Sequence, residues 1–208
     1  MKNIIVFCAH DDDLAVGALG TIMKYRDKGD NVIEVVFSAG EMSHPHLKCD
    51  IVTRKRSNET LAVNEKLGIE TLFLGLSDSS LNKQVSKELK DKVKEVIETY
   101  KPYKIYMHSE FDTHKDHRAV FKCLNDILKY LDIDCGVYSY EVWNIFPENK
   151  PCVYVDISDY FVKKVNIMKQ YKSQKHFIYP LILPVYIRAK VYGKKINVKY
   201  AEKFYKLR

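Results

Sequence analysis

The sequence predicts an α/β fold, one domain over residues 1–208 built on a mostly parallel sheet. Two observations predict it. Short β-branched and aromatic runs alternate along the chain with longer segments of helical spacing, the pattern of strand–crossover–strand units. Glycine or proline falls just past several of the helical segments, where such residues stop a helix. At 208 residues, with 46% hydrophobic and 29% charged side chains, the chain is long enough for one well-buried core and short for two.

The elements follow in order. Residues 3–9, with Ile4, Ile5, Val6 and Phe7, read as a buried first strand. Residues 14–28 have helical spacing and end near Gly29. Residues 31–38, rich in Val and Ile, are the second strand, and a loop with Gly40 and a Ser/His/Pro stretch runs to His46. Residues 51–67 form a helix with Gly68 in the C-cap position. Residues 71–74 are a third strand, and residues 85–100 an amphipathic helix that Pro102 stops. Residues 103–107 are the fourth strand and 118–130 the next helix. Later strands are expected at 137–143 and 152–155, and a helix at 159–171 capped by Ser158 or Asp159. Residues 177–192 resist this reading. They are nearly all apolar or aromatic, and Pro180, Pro184 and Arg188 rule against a spanning helix. A hydrophobic loop over a functional site, an oligomer contact and a membrane-touching surface all suit such a segment.

Five cysteines, an odd count without C-x-x-C, favour neither a disulfide framework nor a thiolate zinc site. Cys8, Cys123 and Cys152 lie in apolar stretches and read as small buried hydrophobes, which suits a reducing, cytoplasmic setting. The N-terminal apolar run is broken by His10 and three aspartates, too early for a signal peptide or a membrane span. Charge is uneven. Residues 160–208 hold 13 Lys/Arg and one acid, Glu202, a net +12, and the rest of the chain carries −5. Such a tail suits phosphates, an anionic membrane or an acidic partner, or is a solvated lysine-rich face.

Two His/Asp clusters carry the chemistry. Ala9-His10-Asp11-Asp12-Asp13 follows the first strand, and Asp112-Thr113-His114-Lys115-Asp116-His117 follows the fourth. In an open parallel sheet, ligands bind at the carboxyl ends of the strands, so the two clusters can close on one metal ion. His10, Asp13 and His117 offer two imidazoles and a carboxylate, a recurrent catalytic zinc set with water in the open position. Zinc brings the pKa of such a water towards ~7. Asp12 is then the candidate general base. His114, if protonated, is expected to stabilise an oxyanion or protonate the leaving amine, and Asp116 is expected to orient it by accepting a ring N–H bond.

His10-Asp11-Asp12-Asp13 followed by Gly17-Ala18-Leu19-Gly20-Thr21-Ile22 resembles the A-H-P-D-D-E…G-x-x-G-T-[IL] signature of the LmbE-like, PIG-L-type zinc-dependent N-deacetylases. Asp112-Thr113-His114-Lys115-Asp116-His117-Arg118-Ala119-Val120 is similar to their D-x-H-P-D-H-x-x-V motif. Arg56-Ser57-Asn58-Glu59 with Leu67-Gly68 resembles the R-x-x-E…L-G helix, and Tyr200-Ala201-Glu202-Lys203-Phe204 the Y-A-E-x-F ending. The resemblance implies a Rossmann-like three-layer version of the α/β fold. It also implies zinc on His10, Asp13 and His117 (Fe2+ or Co2+ suit the same donors), Asp12 as base, His114 on the carbonyl or oxyanion, and Arg56 touching the substrate sugar. The substrate class implied is an N-acetylglucosamine-type conjugate. Asp11 and Lys115 replace the motifs' prolines, and Leu14 replaces the glutamate. Asp11 is therefore expected to add charge beside the metal, and the loss of the glutamate bears on how the first loop is braced.

Two other readings compete. Asp11-x-Asp13 after a strand resembles the start of magnesium-dependent haloacid-dehalogenase-type phosphatases, but Ala15 stands where Thr or Val is usual and His10 and His117 have no role there. An inactive glycan-binding relative would not need Asp12. No G-x-G-x-x-G follows the first strand, against a dinucleotide site. The expected partner is a small amino-sugar conjugate, with an anionic or lipid-linked aglycone suited to the lysines around residues 177–192, or a second copy of the chain, rather than a nucleic acid.

Overall fold

A computed structural model describes residues 1–44, 46–144 and 149–208; Pro45, in the loop expected after the second strand, lies outside them. The strands are β1 (Asn3–Cys8), β2 (Asn31–Val36), β3 (Glu70–Phe73), β4 (Lys104–His108), β5 (Gly136–Tyr140), β6 (Cys152–Asp156) and β7 (Ala201–Lys206). They form one sheet in the order β3-β2-β1-β4-β5-β7-β6. β1 pairs in parallel with β2 and β4, and the parallel ladder runs on to β3 and β5. Only β7 runs antiparallel, between β5 and β6. The chain winds outward from β1 to β3 on one side and from β4 to β5 on the other, so the switch point lies between β1 and β4.

The central strand shows why a near-continuous apolar run folds this way. Ile4, Val6 and Cys8 pack into the core on one face, and Ile5, Phe7 and Ala9 into the core on the other, all wholly buried. A strand covered on both faces has no polar side, as parallel sheets require. One face is covered by α1 (Asp13–Gly17), α2 (Leu19–Asp27), α3 (Cys49–Leu67), α7 (Phe161–Met168) and α8 (Lys175–Lys195). The other is covered by α4 (Leu81–Gln84), α5 (Lys87–Tyr100) and α6 (Lys115–Leu128). The arrangement is the three-layer α/β fold expected.

Several boundaries differ from the sequence reading, for identifiable reasons. The helix expected over 14–28 is two, broken at Ala18 (φ −141°). Gly17 lies against the Tyr140 ring, where an added Cβ would sit 2.3 Å from Cδ2, so the chain bends to keep this contact. The helix expected at 85–100 starts at Lys87, because Ser86 caps it by accepting the Leu89 N–H. Gly68 does end α3, at φ +65°. Cys152 opens the edge strand β6 and is exposed, whereas Cys135 is buried.

The largest correction is residues 177–192, which form most of α8, a 21-residue helix containing both prolines. Ile178, Leu181, Val185, Ala189 and Gly193 make one buried row along it. Burial of that row outweighs the hydrogen bonds that Pro180 and Pro184 remove. Among the described residues no helix is long and apolar enough to cross a membrane. The C-terminal motif around Tyr200–Phe204, given no element by the sequence reading, supplies β7. Its Glu202 accepts the Gly20 and Thr21 N–H groups and pairs with buried Lys164.

Glu34, on β2, is a buried acid away from solvent. Burial pushes its pKa up to about 8, with Asn64 donating to one oxygen and opposing the shift, while the other oxygen has no hydrogen-bond partner. Below the ordinary value of 4.5 both folded and unfolded chains hold the proton. As pH rises to about 8 only the unfolded chain releases it, so this group's stabilisation is lost over that window. Glu34→Gln should therefore raise Tm at pH 8 relative to the parent and leave it nearly unchanged at pH 4.5, by about 2–4 °C for each kcal/mol relieved. Thermal melts at the two pH values check this, and an equal shift at both contradicts it.

Candidate metal centre

The β1 and β4 carboxyl ends lie side by side, in the register Val6↔Tyr106. The loop and α1 that follow β1 carry His10 to Asp13, and the loop and α6 that follow β4 carry Asp112 to His117. Phe37 and Ser38, just past β2, hydrogen-bond back to Cys8 and Ala9, so the first loop leaves the sheet at a fixed angle. His114 is the N-cap of α6, and its Nδ1 accepts the Asp116 N–H. Lys115 takes the first helical position, where proline is otherwise well suited.

His10, Asp13 and His117 meet. His117 Nε2 is 3.2 Å from Asp13 Oδ1, and His10 Nδ1 is 3.7 Å from Asp13 Oδ2. Among the described residues three donor groups have ligand atoms all within 4.8 Å of one another: His10/His114/His117, Asp13/His108/His117 and His10/Asp78/Asp116. The trio expected from the sequence bridges the first two. Both His117 nitrogens are buried without a hydrogen-bond partner, although Asp112 Oδ2 stands 3.0 Å from Nδ1. A buried imidazole Nε2 that faces the Asp13 carboxylate at 3.2 Å without a hydrogen bond fits a divalent cation shared by the two.

The electrostatics agree. Burial alone would lower the His10 pKa, but Asp116, Asp78 and Asp13 raise it to about 10. Burial likewise opposes His117, and Asp13 and Asp112 raise it to about 9. Burial works against ionising Asp13, yet His117 and His108 hold it well below the usual carboxylate range. The site thus calls for positive charge at one point, which a metal ion supplies in place of protons.

Arg56 reaches the edge of the site, and its guanidinium is held by protein acceptors. It is 3% exposed. Nε donates to Asp11 Oδ1 at 2.8 Å, Nη1 to Gly40 O at 3.1 Å and Ser43 Oγ at 3.2 Å, and Nη2 to Asp11 and to Asp12 Oδ1. Its five N–H groups all face protein acceptors. Asp11 does not add charge beside the histidines, as its carboxylate turns into Arg56, while Thr60 Oγ1 donates to its carbonyl at 3.0 Å. Burial raises the Asp11 pKa to about 6, against the pull of Arg56. Leu14, in the glutamate's place, joins the core; the first loop is braced by Arg56 instead.

Asp116 also departs from its expected role. Its carboxylate accepts the Ser79 and Leu81 N–H groups and lies 3.6 Å from His10 Nε2, so only its backbone N–H fixes the His114 ring. Two residues, Asp78 and His108, escaped the sequence reading, and Asp112 was given no role in it. Asp78, beyond β3, has Oδ1 3.1 Å from His10 Nε2. His108, the last residue of β4, stacks on His117 at 3.9 Å and reaches Asp13 Oδ2 at 3.1 Å; burial lowers its pKa to about 4. Asp112 faces His117. The signal for all three was available, since each lies at or beyond the carboxyl end of a strand.

A cavity of about 370 Å³ opens over this cluster, lined by His10, Asp12, Asp13, Arg56, Asp78 and His114 together with Trp143, Gln174, Phe177 and Leu181. It is large enough for one sugar ring and its substituents.

A family profile described as PIG-L, GlcNAc-PI de-N-acetylase, matches residues 5–128. The diacetylchitobiose deacetylase of Thermococcus kodakarensis is 27% identical over 226 aligned residues, 97% of this chain and 82% of its own length. In fold, the chain matches the N,N'-diacetylchitobiose deacetylase of Pyrococcus horikoshii with a TM-score of 0.84, at 22% identity over 99% of this chain and 84% of that one. It matches the 4-carboxy-2-hydroxymuconate hydratase GalB of Pseudomonas putida KT2440 with a TM-score of 0.85, at 20% identity over 100% and 97%. The fold therefore serves more than one reaction, and the side chains at the site have to decide between them.

Removing Arg56 leaves Asp11 buried without its partner. Arg56→Met should cost about 3–5 kcal/mol, and adding Asp11→Asn should recover more than half of that loss. Denaturant unfolding of both variants is the check; a double variant no more stable than Arg56→Met contradicts the pairing.

Proposed function

The chain belongs to the PIG-L (GlcNAc-PI de-N-acetylase) family, and on that premise we propose that it is a metal-dependent N-deacetylase acting on an N-acetylglucosamine-type conjugate. The observation that carries this reading is the gathering of His10, Asp12, Asp13 and His114 around one cavity, with buried His117 Nε2 3.2 Å from Asp13. The relatives named for removing acetyl groups from diacetylchitobiose support the substrate class.

In this reading His10, Asp13 and His117 hold the ion, with His108 and Asp112 backing the last two of these. A divalent ion there polarises the amide carbonyl and brings a water's pKa to about 7; two imidazoles and a carboxylate suit zinc, and Fe2+ or Co2+ as well. Asp12, aimed by Arg56 Nη2 at 3.1 Å, takes the proton of the attacking water. It returns that proton to the sugar nitrogen as the C–N bond breaks, leaving acetate and a free amine. His114 is kept neutral, because burial lowers its pKa and positive charge at the neighbouring centre adds to the effect. Its Nδ1 accepts the Asp116 N–H, so its proton is on Nε2 and is available to the oxyanion. Asp78 offers a carboxylate to sugar hydroxyls, and Trp143 and Phe177 offer apolar faces. Arg56 acts as a positioning residue for Asp12.

The phosphatase alternative finds no support. Its nucleophile would be Asp11, which is 0% exposed and engaged by Arg56.

Asp12→Asn should keep the metal and lose ~10²–10⁴-fold in acetate release from N-acetylglucosaminyl conjugates. His117→Ala should lose both metal and turnover. Elemental analysis beside an acetate assay separates them; a His117→Ala protein with full metal content removes that residue from the ligand set, and a loss below about tenfold in Asp12→Asn, under the low end of the range for such catalysis, removes Asp12 as the base.

A further inference from the structure

α8 is apolar on both sides. Its inner row, from Ile178 to Gly193, is buried against the body of the protein. Its outer side carries Tyr179, Leu183, Tyr186, Ile187 and Val191, exposed by 51, 64, 42, 51 and 48%. An ordinary surface helix puts polar residues there. Exposed Lys172 and Lys175 precede this stripe and exposed Lys194, Lys195 and Lys199 follow it. No acidic residue occurs from Tyr160 through Ala201.

We propose that the outer face of α8 is a docking surface for an anionic lipid bilayer, on which the helix lies in the interface plane. Leucine, isoleucine and valine side chains enter the acyl boundary, tyrosines suit the headgroup level, and the flanking ammonium groups meet lipid phosphates. A two-fold contact of this surface with itself in a second copy fits poorly. A two-fold contact across α8 would bring two sets of lysines together, and this segment offers no acid to pair with them. The helix is too polar to span a bilayer. Its first turns also reach the cavity, since Phe177 and Leu181 line it together with His10. A protein resting on α8 therefore holds its cavity mouth beside the lipid surface. Docking depends on this face alone and not on the reaction proposed above.

Vesicle flotation of the full chain tests it, with phosphatidylcholine vesicles prepared with and without phosphatidylglycerol, at low and high salt, alongside sedimentation of the free protein. The expected result is flotation with the anionic vesicles only, reduced by salt. Leu183→Glu/Ile187→Glu should reduce it by roughly tenfold or more and leave acetate release from a soluble conjugate unchanged, since neither residue lines the cavity. Lys194→Glu/Lys195→Glu provides a second variant outside the apolar stripe and should also weaken flotation. Absence of flotation by the parent protein overturns the proposal. So does a dimer in free solution that the Leu183→Glu/Ile187→Glu change converts to monomer, which would assign the face to a second copy.

Discussion

The parallel pairing of β1 with β4 is the constraint on which everything at the site depends. Among the described residues every group of three close donor atoms draws on both the β1 and the β4 side. Side-by-side strands that end at the same level, each followed by a short loop and a helix start, bring the two sets within hydrogen-bonding range. The pairing is held from both faces by Ile4 to Ala9, whose side chains are all buried. A slip of one residue would turn this row inside out and carry His10 away from His117.

The site concentrates unlike charges at a density that suits a cation. His10 and His117 are driven towards protonation, Asp13 is held ionised, and wholly buried nitrogens face carboxylates without forming good hydrogen bonds. Around this centre further contacts hold the flanking charged groups. Arg56 takes Asp11 and steadies Asp12; backbone N–H groups of Ser79 and Leu81 take Asp116; Glu202 and Lys164 tie the helices of one face to β7. The substitution of Asp11 for the family's proline thus reads as part of the brace, with its charge answered by Arg56.

Much of this was legible in the sequence. The alternation of apolar runs and helical segments marked the layers and the five strands of the parallel ladder, because a two-sided core imprints its pattern directly. The residues that converge on the cavity were found because strand ends in such sheets are where side chains meet. What escaped depended on distant parts of the chain. The row from Ile178 to Gly193 lies among prolines and outward-facing apolar residues, so its periodicity is hidden and only tertiary burial makes the helix. β7 is specified by its neighbours β5 and β6 rather than by a strong run of its own. The roles of Arg56 and Asp116 turned on which acceptors lie nearest, and spacing along a chain does not carry that.

Anomalous diffraction from a zinc-soaked crystal, recorded on both sides of the metal edge, tests the central claim most directly. A single strong peak bound by His10 and Asp13 from the first loop and by His117 from the second is the predicted result. A peak held by residues of one loop only, or lying outside the space between the β1 and β4 ends, would contradict it.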